Sequence, residues 1–70
     1  MDIFAQRLQL ERERKGYKQD EFAKLAGIHP RTYGHYEQGL STPKYECLVR
    51  ISNVLDVSID YLLGKYNRNN

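Results

Sequence analysis

Apolar residues recur at three- and four-residue spacings along most of this chain, and each run is bounded by a residue that starts or stops a helix. Phe4 and Leu8 follow the capping residue Asp2, and Gly16 closes the run, which predicts a first helix over residues 3–15. Phe22, Leu25 and Ala26 stand at i, i+3 and i+4, predicting a short second helix with these side chains inward and a stop at Gly27. Pro30, with His29 as a modest cap, opens a third helix expected over residues 30–38, which carries Tyr33 and Tyr36 three apart on one face. Thr42-Pro43 reads as the cap and first position of a fourth helix over 43–55, with Tyr45, Leu48, Ile51, Ser52 and Leu55 on its stripe. At its end Asp56 stands where a glycine often closes a helix, a position that Asp tolerates better than most residues. Ser58 caps a last short helix in which Ile59, Leu62 and Leu63 point inward, and Gly64 stops it. The expected fold is therefore all-α, a compact bundle of five short helices in one domain spanning residues 1–64, with residues 65–70 a flexible tail.

Residues 19–38 carry the most specific pattern. Two short helices joined by a tight turn at a glycine form a helix-turn-helix unit, whose second helix can enter the major groove of DNA. Gln19, Phe22-Ala23, Gly27-Ile28, Tyr36-Glu37 and Gly39 are followed in order by Pro43, Leu48, Ile51, Leu55-Asp56-Val57-Ser58 and Asp60-Tyr61-Leu62-Leu63. This combined order and spacing resembles the phage-repressor and Cro-type helix-turn-helix family, also called the XRE family, from about Phe4 to Leu63.

The resemblance implies the lambda-repressor-like form of the bundle and double-stranded DNA as partner, with the third helix reading bases. On that helix Arg31, Thr32, Gly34 and His35 are the candidate base readers; Arg can fork to guanine O6 and N7, and Thr can bond or offer its methyl to thymine. Lys18, Gln19, Gln38 and Lys44 are the candidate phosphate contacts, Gln19 because the corresponding position meets phosphate in the family. An arginine at the position of Arg12 pairs in the family with the glutamate at Glu37; read from the residues alone, the two are equally compatible with separate, solvated groups. Three positions depart from the pattern. Lys18 stands where a threonine cap is common, Glu11 where an apolar residue is usual, and Leu10 where a polar one is. The family places its dimer contact on DNA near the C-terminal part of the domain, here residues 56–66; with Ile59, Leu62 and Leu63 needed by the core, a homodimer on DNA that is weak or monomeric when free is expected, with Val57, Tyr61 and Tyr66 as contacts.

Composition narrows the alternatives without deciding among them. Eleven Lys and Arg against nine Asp and Glu leave a net charge of +2 spread evenly along the chain, so any basic face must be made by folding. Cys47 is the single cysteine, which excludes an intramolecular disulfide and suits a cytoplasmic setting. No apolar run approaches the ~18 residues that span a bilayer, so a soluble protein with no membrane partner is expected. His29 and His35 are the only histidines and have no serine, cysteine or carboxylate pair at helical spacing, so neither an enzyme nor a zinc site is expected, and no cofactor. The rival to DNA binding is an antitoxin or protein-interaction module on the same fold. Pro30, which lacks a donor, and Gly34, which weakens a helix, keep that rival open.

Overall fold

A computed structural model of the chain describes residues 2–65. Its helices, in order, are α1 (Ile3–Arg14), α2 (Gln19–Leu25), α3 (Pro30–Glu37), α4 (Tyr45–Leu55) and α5 (Ile59–Leu62). Each start has a local cause. The Asp2 carboxylate accepts from the Phe4 N–H at 2.9 Å, and the Ser58 hydroxyl accepts from the Tyr61 N–H at 3.0 Å. Lys18 has no oxygen to offer at the start of α2, but Glu21 supplies the reciprocal half of a capping box by accepting from the Lys18 N–H at 2.8 Å.

The turn between α2 and α3 is fixed by hydrogen bonds that cross Gly27. The Ile28 N–H reaches the Ala23 carbonyl at 2.8 Å and the Gly27 N–H reaches that of Lys24 at 3.2 Å, a closure that requires the left-handed Gly27 φ of 70°. Ile28 and Ala23 are both buried, so the turn is also held by apolar contact. Arg50 of α4 completes the stop by donating from Nε to the Ala26 carbonyl at 2.9 Å.

Phe22 lies at the centre of the core, with the Tyr33 ring 5.2 Å and the Tyr17 ring 6.1 Å from it, both tilted. Phe4 and Leu8 from α1, Ala23 and Ala26 from α2, Tyr36 from α3, Leu48, Ile51 and Leu55 from α4, and Tyr61 and Leu62 from α5 complete the cluster. Helix α3 packs against both α1 and α2, which leaves its remaining face outward.

Several sequence expectations are corrected by this packing. Leu25 is 56% exposed, and Ala23 takes the inward place beside Phe22 and Ala26. Helix α4 begins two residues later than expected, with Lys44 as its cap residue, and Pro43 is buried ahead of it. Tyr45 is 71% exposed, because the first turn of α4 projects past the core that Leu48, Ile51 and Leu55 reach. In α5 the inward residues are Tyr61 and Leu62, with Ile59 partly buried, whereas Leu63 is 49% exposed.

Tyr61 is thereby removed from the surface where a dimer contact was expected. Its hydroxyl donates to Glu11 at 2.7 Å, and the Arg7 guanidinium lies 4.5 Å above its ring. The same bond accounts for Glu11, which is 1% exposed where an apolar residue was anticipated, while Leu10 beside it is 42% exposed. Val57 is half-buried against the core, and Tyr66, the third expected contact, lies outside the described residues, as do residues 66–70 of the expected tail.

Candidate nucleic-acid interface

The outward face of α3 is set by its two tyrosines. With Tyr33 and Tyr36 buried, Arg31, Thr32 and His35 are exposed, and Arg31 and His35 stand one turn apart on the same side. At the head of the helix, His29 Nδ1 accepts from the Arg31 N–H at 3.1 Å, so the histidine is the cap and Arg31 the residue it holds. Gly34 is half-buried within the helix, and a Cβ placed there would meet nothing within 4 Å. Packing inside the chain therefore does not demand glycine at this position.

The far end of α3 is anchored through one carboxylate. Glu37 accepts from Arg12 Nε at 2.6 Å and Nη2 at 3.2 Å, from Gln19 Nε2 at 2.9 Å, and from the Tyr33 hydroxyl. Its side chain is 3% exposed and that of Arg12 is 9% exposed. Arg12 also donates from Nη1 to the Tyr17 carbonyl at 2.7 Å, so α1, the loop before α2, the first residue of α2 and the end of α3 share one hydrogen-bonded junction. The Glu37 hydrogen bond, with its charge, outweighs burial and raises the Arg12 pKa. Burial is the main cause that pushes the Tyr33 phenol well above its ordinary value, and the Glu37 carboxylate adds to it.

The candidate phosphate contacts fall into two places. At the start of α2, Lys18 and Gln19 are exposed, but the local donors are partly spoken for: Glu21 takes the Lys18 N–H, Asp20 takes the Glu21 N–H at 2.9 Å, and Glu37 takes one hydrogen of the Gln19 amide. What remains for an anion there is the Lys18 ammonium, the second Gln19 amide hydrogen and the backbone N–H groups of Gln19 and Asp20. Near the start of α4, Lys44 lies on an open cleft of about 450 Å³ between α3 and α4 that Thr32, Ser41, Thr42 and Arg50 also line. Gln38, exposed as the cap residue at the end of α3, lines neither. Arg50 was not singled out in the sequence; its signal is a cation off the apolar stripe of α4, anchored by Nε on α2 while its guanidinium borders the cleft. The described residues contain no group of His, Cys, Asp and Glu able to hold a metal ion.

The pattern of the helix-turn-helix family matches residues 8–62, and this chain belongs to that family. It is 43% identical over 61 residues to the SPbeta prophage-derived uncharacterized HTH-type transcriptional regulator YonR of Bacillus subtilis, covering 87% of this chain and 56% of that protein. It is 36% identical over 61 residues to the cryptic phage CTXphi transcriptional repressor RstR of Vibrio cholerae, covering 87% of this chain and 54% of that one. Among solved structures, a chain of the SinR protein/SinI protein complex superposes with a TM-score of 0.84 at 32% identity, covering 96% of this chain and 66% of that chain. The chain spans about half the length of the curated relatives it matches.

Proposed function

We propose that this chain is a sequence-specific double-stranded DNA-binding unit of a transcriptional regulator, non-catalytic and cytoplasmic, which inserts α3 into the major groove. The observation that carries the reading is the exposed Arg31, Thr32 and His35 face on a helix tied at both ends, in a member of a family whose relatives are named as transcriptional regulators. Arg31 reads guanine, Thr32 and His35 read neighbouring bases or phosphate, and Gly34 lets the groove wall approach the helix backbone. Lys18, Gln19, Gln38 and Lys44 hold the sugar-phosphate chain on either side, and the junction at Arg12 and Glu37 keeps the two parts in register. Repression by occupancy is favoured over activation, in keeping with a relative named as a repressor. A single helix reads only a few base pairs, so two copies on half-sites about 34 Å apart supply the specificity, from chains that associate weakly when free.

The test is titration of labelled random duplex at two salt concentrations, followed by selection of bound sites from a random pool. Binding that weakens steeply with salt and enriches a repeated, guanine-containing half-site supports the reading. A second reading, an antitoxin or protein-interaction module, draws on the structural neighbour having been solved in complex with another protein. Absence of duplex binding at low salt favours it.

A further inference from the structure

We propose that His29 is the positioning residue of the DNA-reading helix, and that it holds the first turn of α3 only as a neutral imidazole whose Nδ1 is bare. The inference rests on the DNA-binding reading above and adds to it a protonation state that the reading helix requires. Its basis is the 3.1 Å hydrogen bond in which His29 Nδ1 accepts from the Arg31 N–H. Caps of this kind are normally carboxylate, amide or hydroxyl oxygens, which accept at any physiological pH. An imidazole nitrogen accepts only when it carries no proton. The bond therefore fixes the tautomer as the Nε2–H form, because in the neutral ring one nitrogen donates and the other accepts.

The consequences reach the DNA face directly, since the N–H being held belongs to Arg31, the first proposed base reader. Pro30 between them contributes no N–H, so the first turn has only this side-chain restraint on its donors among the described hydrogen bonds. Protonation turns Nδ1 from acceptor into donor and sets two N–H groups against each other. It also adds a positive charge at the positive end of a helix dipole.

The charged and titratable groups that line the same cleft as His29 come from both of its sides. Lys44, Glu46, Cys47 and Arg50 lie on the α4 side, and Tyr36 lines it from α3, whose first turn carries Arg31. None of these can restore an acceptor at Nδ1, so the loss of the cap follows from the valence of the nitrogen and not from the local field. The expected direction is also the reverse of the ordinary one. Protonating a histidine on a DNA-facing surface adds a cation and strengthens phosphate binding, as it would at His35, which caps nothing. At His29, acidification loosens the turn that aims Arg31.

The experiment compares the full chain with His29→Asn and His29→Ala, all three keeping His35, so that any contribution of His35 is common to them. Asn offers a cap oxygen that does not titrate in this range. Two quantities are measured from pH 7.5 to 5.5: exchange of the Arg31 amide hydrogen in the free protein, and affinity for the selected duplex. In the His29 protein, Arg31 exchange corrected for intrinsic rates should speed up and affinity relative to His29→Asn should fall by about 2- to 10-fold as pH drops, the range expected for loss of a helix cap. In His29→Asn exchange should stay at the neutral-pH level. His29→Ala, which removes the cap without adding a charge, should show fast Arg31 exchange at every pH. Equal pH responses in the His29 and Asn proteins, or an Arg31 amide unprotected at pH 7.5, would overturn the proposal. The exchange arm needs no DNA, so failure of the DNA-binding reading alone shows as absent duplex binding with the exchange difference intact.

Discussion

Arg12 and Glu37 meet in a two-point pair, Nε to Oε2 at 2.6 Å and Nη2 to Oε1 at 3.2 Å, although one lies on the first helix and the other ends the third. Two nearly buried charges are costly to desolvate, and the cost is offset here because the remaining hydrogen-bonding capacity is also used: Tyr17 on the arginine side, Gln19 and Tyr33 on the glutamate side. The pair thereby couples the angle of α3 to that of α1 and the start of α2. It is a registration device for the proposed DNA face, made from groups that do not themselves read DNA.

Glu37→Ala strands the Arg12 cation and should destabilise the fold by about 3–5 kcal/mol, with loss of DNA affinity. Arg12→Met combined with Glu37→Leu should recover much of the stability but not the affinity, since Gln19 and Tyr33 would still lack their acceptor. Chemical denaturation of the two variants decides the point. A Glu37→Ala protein as stable as the parent would mean that the pair contributes nothing.

Alkaline pH should unfold this protein through its buried phenols. Burial pushes up the Tyr33 phenol, reinforced by Glu37, and burial followed by the neighbouring Cys47 pushes up that of Tyr36. Above pH ~10 the unfolded chain releases these protons while the native state retains them, so stability present below that pH is lost as pH rises. For Tyr33, the more strongly shifted of the two, the slope approaches about 1.4 kcal/mol per pH unit. Tyr33→Phe should flatten the fall by one such contribution, measured as unfolding free energy against pH. An unchanged slope would contradict the assignment.

Arg31→Ala should reduce discrimination between the selected site and unrelated duplex by about 1–3 kcal/mol, the size of the bidentate guanine contact proposed for it. Lys18→Ala and Gln19→Ala should weaken all duplexes alike and lower the salt dependence. Competition binding with both duplexes separates the two classes. Equal loss on both for Arg31→Ala would exclude base reading by this residue.

Gly34→Ala should move stability and DNA affinity in opposite directions. The added methyl meets nothing within 4 Å, so the folded state gains up to about 1 kcal/mol of helix propensity. DNA affinity should drop, since a groove wall close to the helix backbone leaves no room for a Cβ. Thermal unfolding and duplex titration on the same preparation test both halves. A stabilised variant with full affinity would show that DNA does not come close to residue 34.

Signals confined to a few neighbouring residues were readable in the sequence. Asp2, His29 and Ser58 as caps, Pro30 as the first residue of α3, the left-handed turn at Gly27 and the left-handed Asp56 all depend on backbone within four residues, and local sequence determines that backbone. The positions of Phe4, Leu8, Leu48, Ile51 and Leu55 in the core follow from apolar residues spaced three or four apart. Where the helix is short, the phase is not fixed. In the seven residues of α2 the spacing of Leu25 fits an apolar face as well as that of Ala23 does, and in the four of α5 Leu63 competes equally with Tyr61.

Tertiary structure decided those ties, because which edge of a short helix is covered depends on the neighbour it meets. It also decided three contacts between groups far apart in the chain that the sequence did not announce: Glu11 with Tyr61, Arg50 with the Ala26 carbonyl, Gln19 with Glu37. A buried glutamate reads in sequence as a surface residue, and the tyrosine brought to it by α5 is a partner that local sequence does not reveal. The physical reason is common to all three. Periodicity specifies that a face exists, while the partner that satisfies a charge or a carbonyl is chosen by how the helices pack against one another.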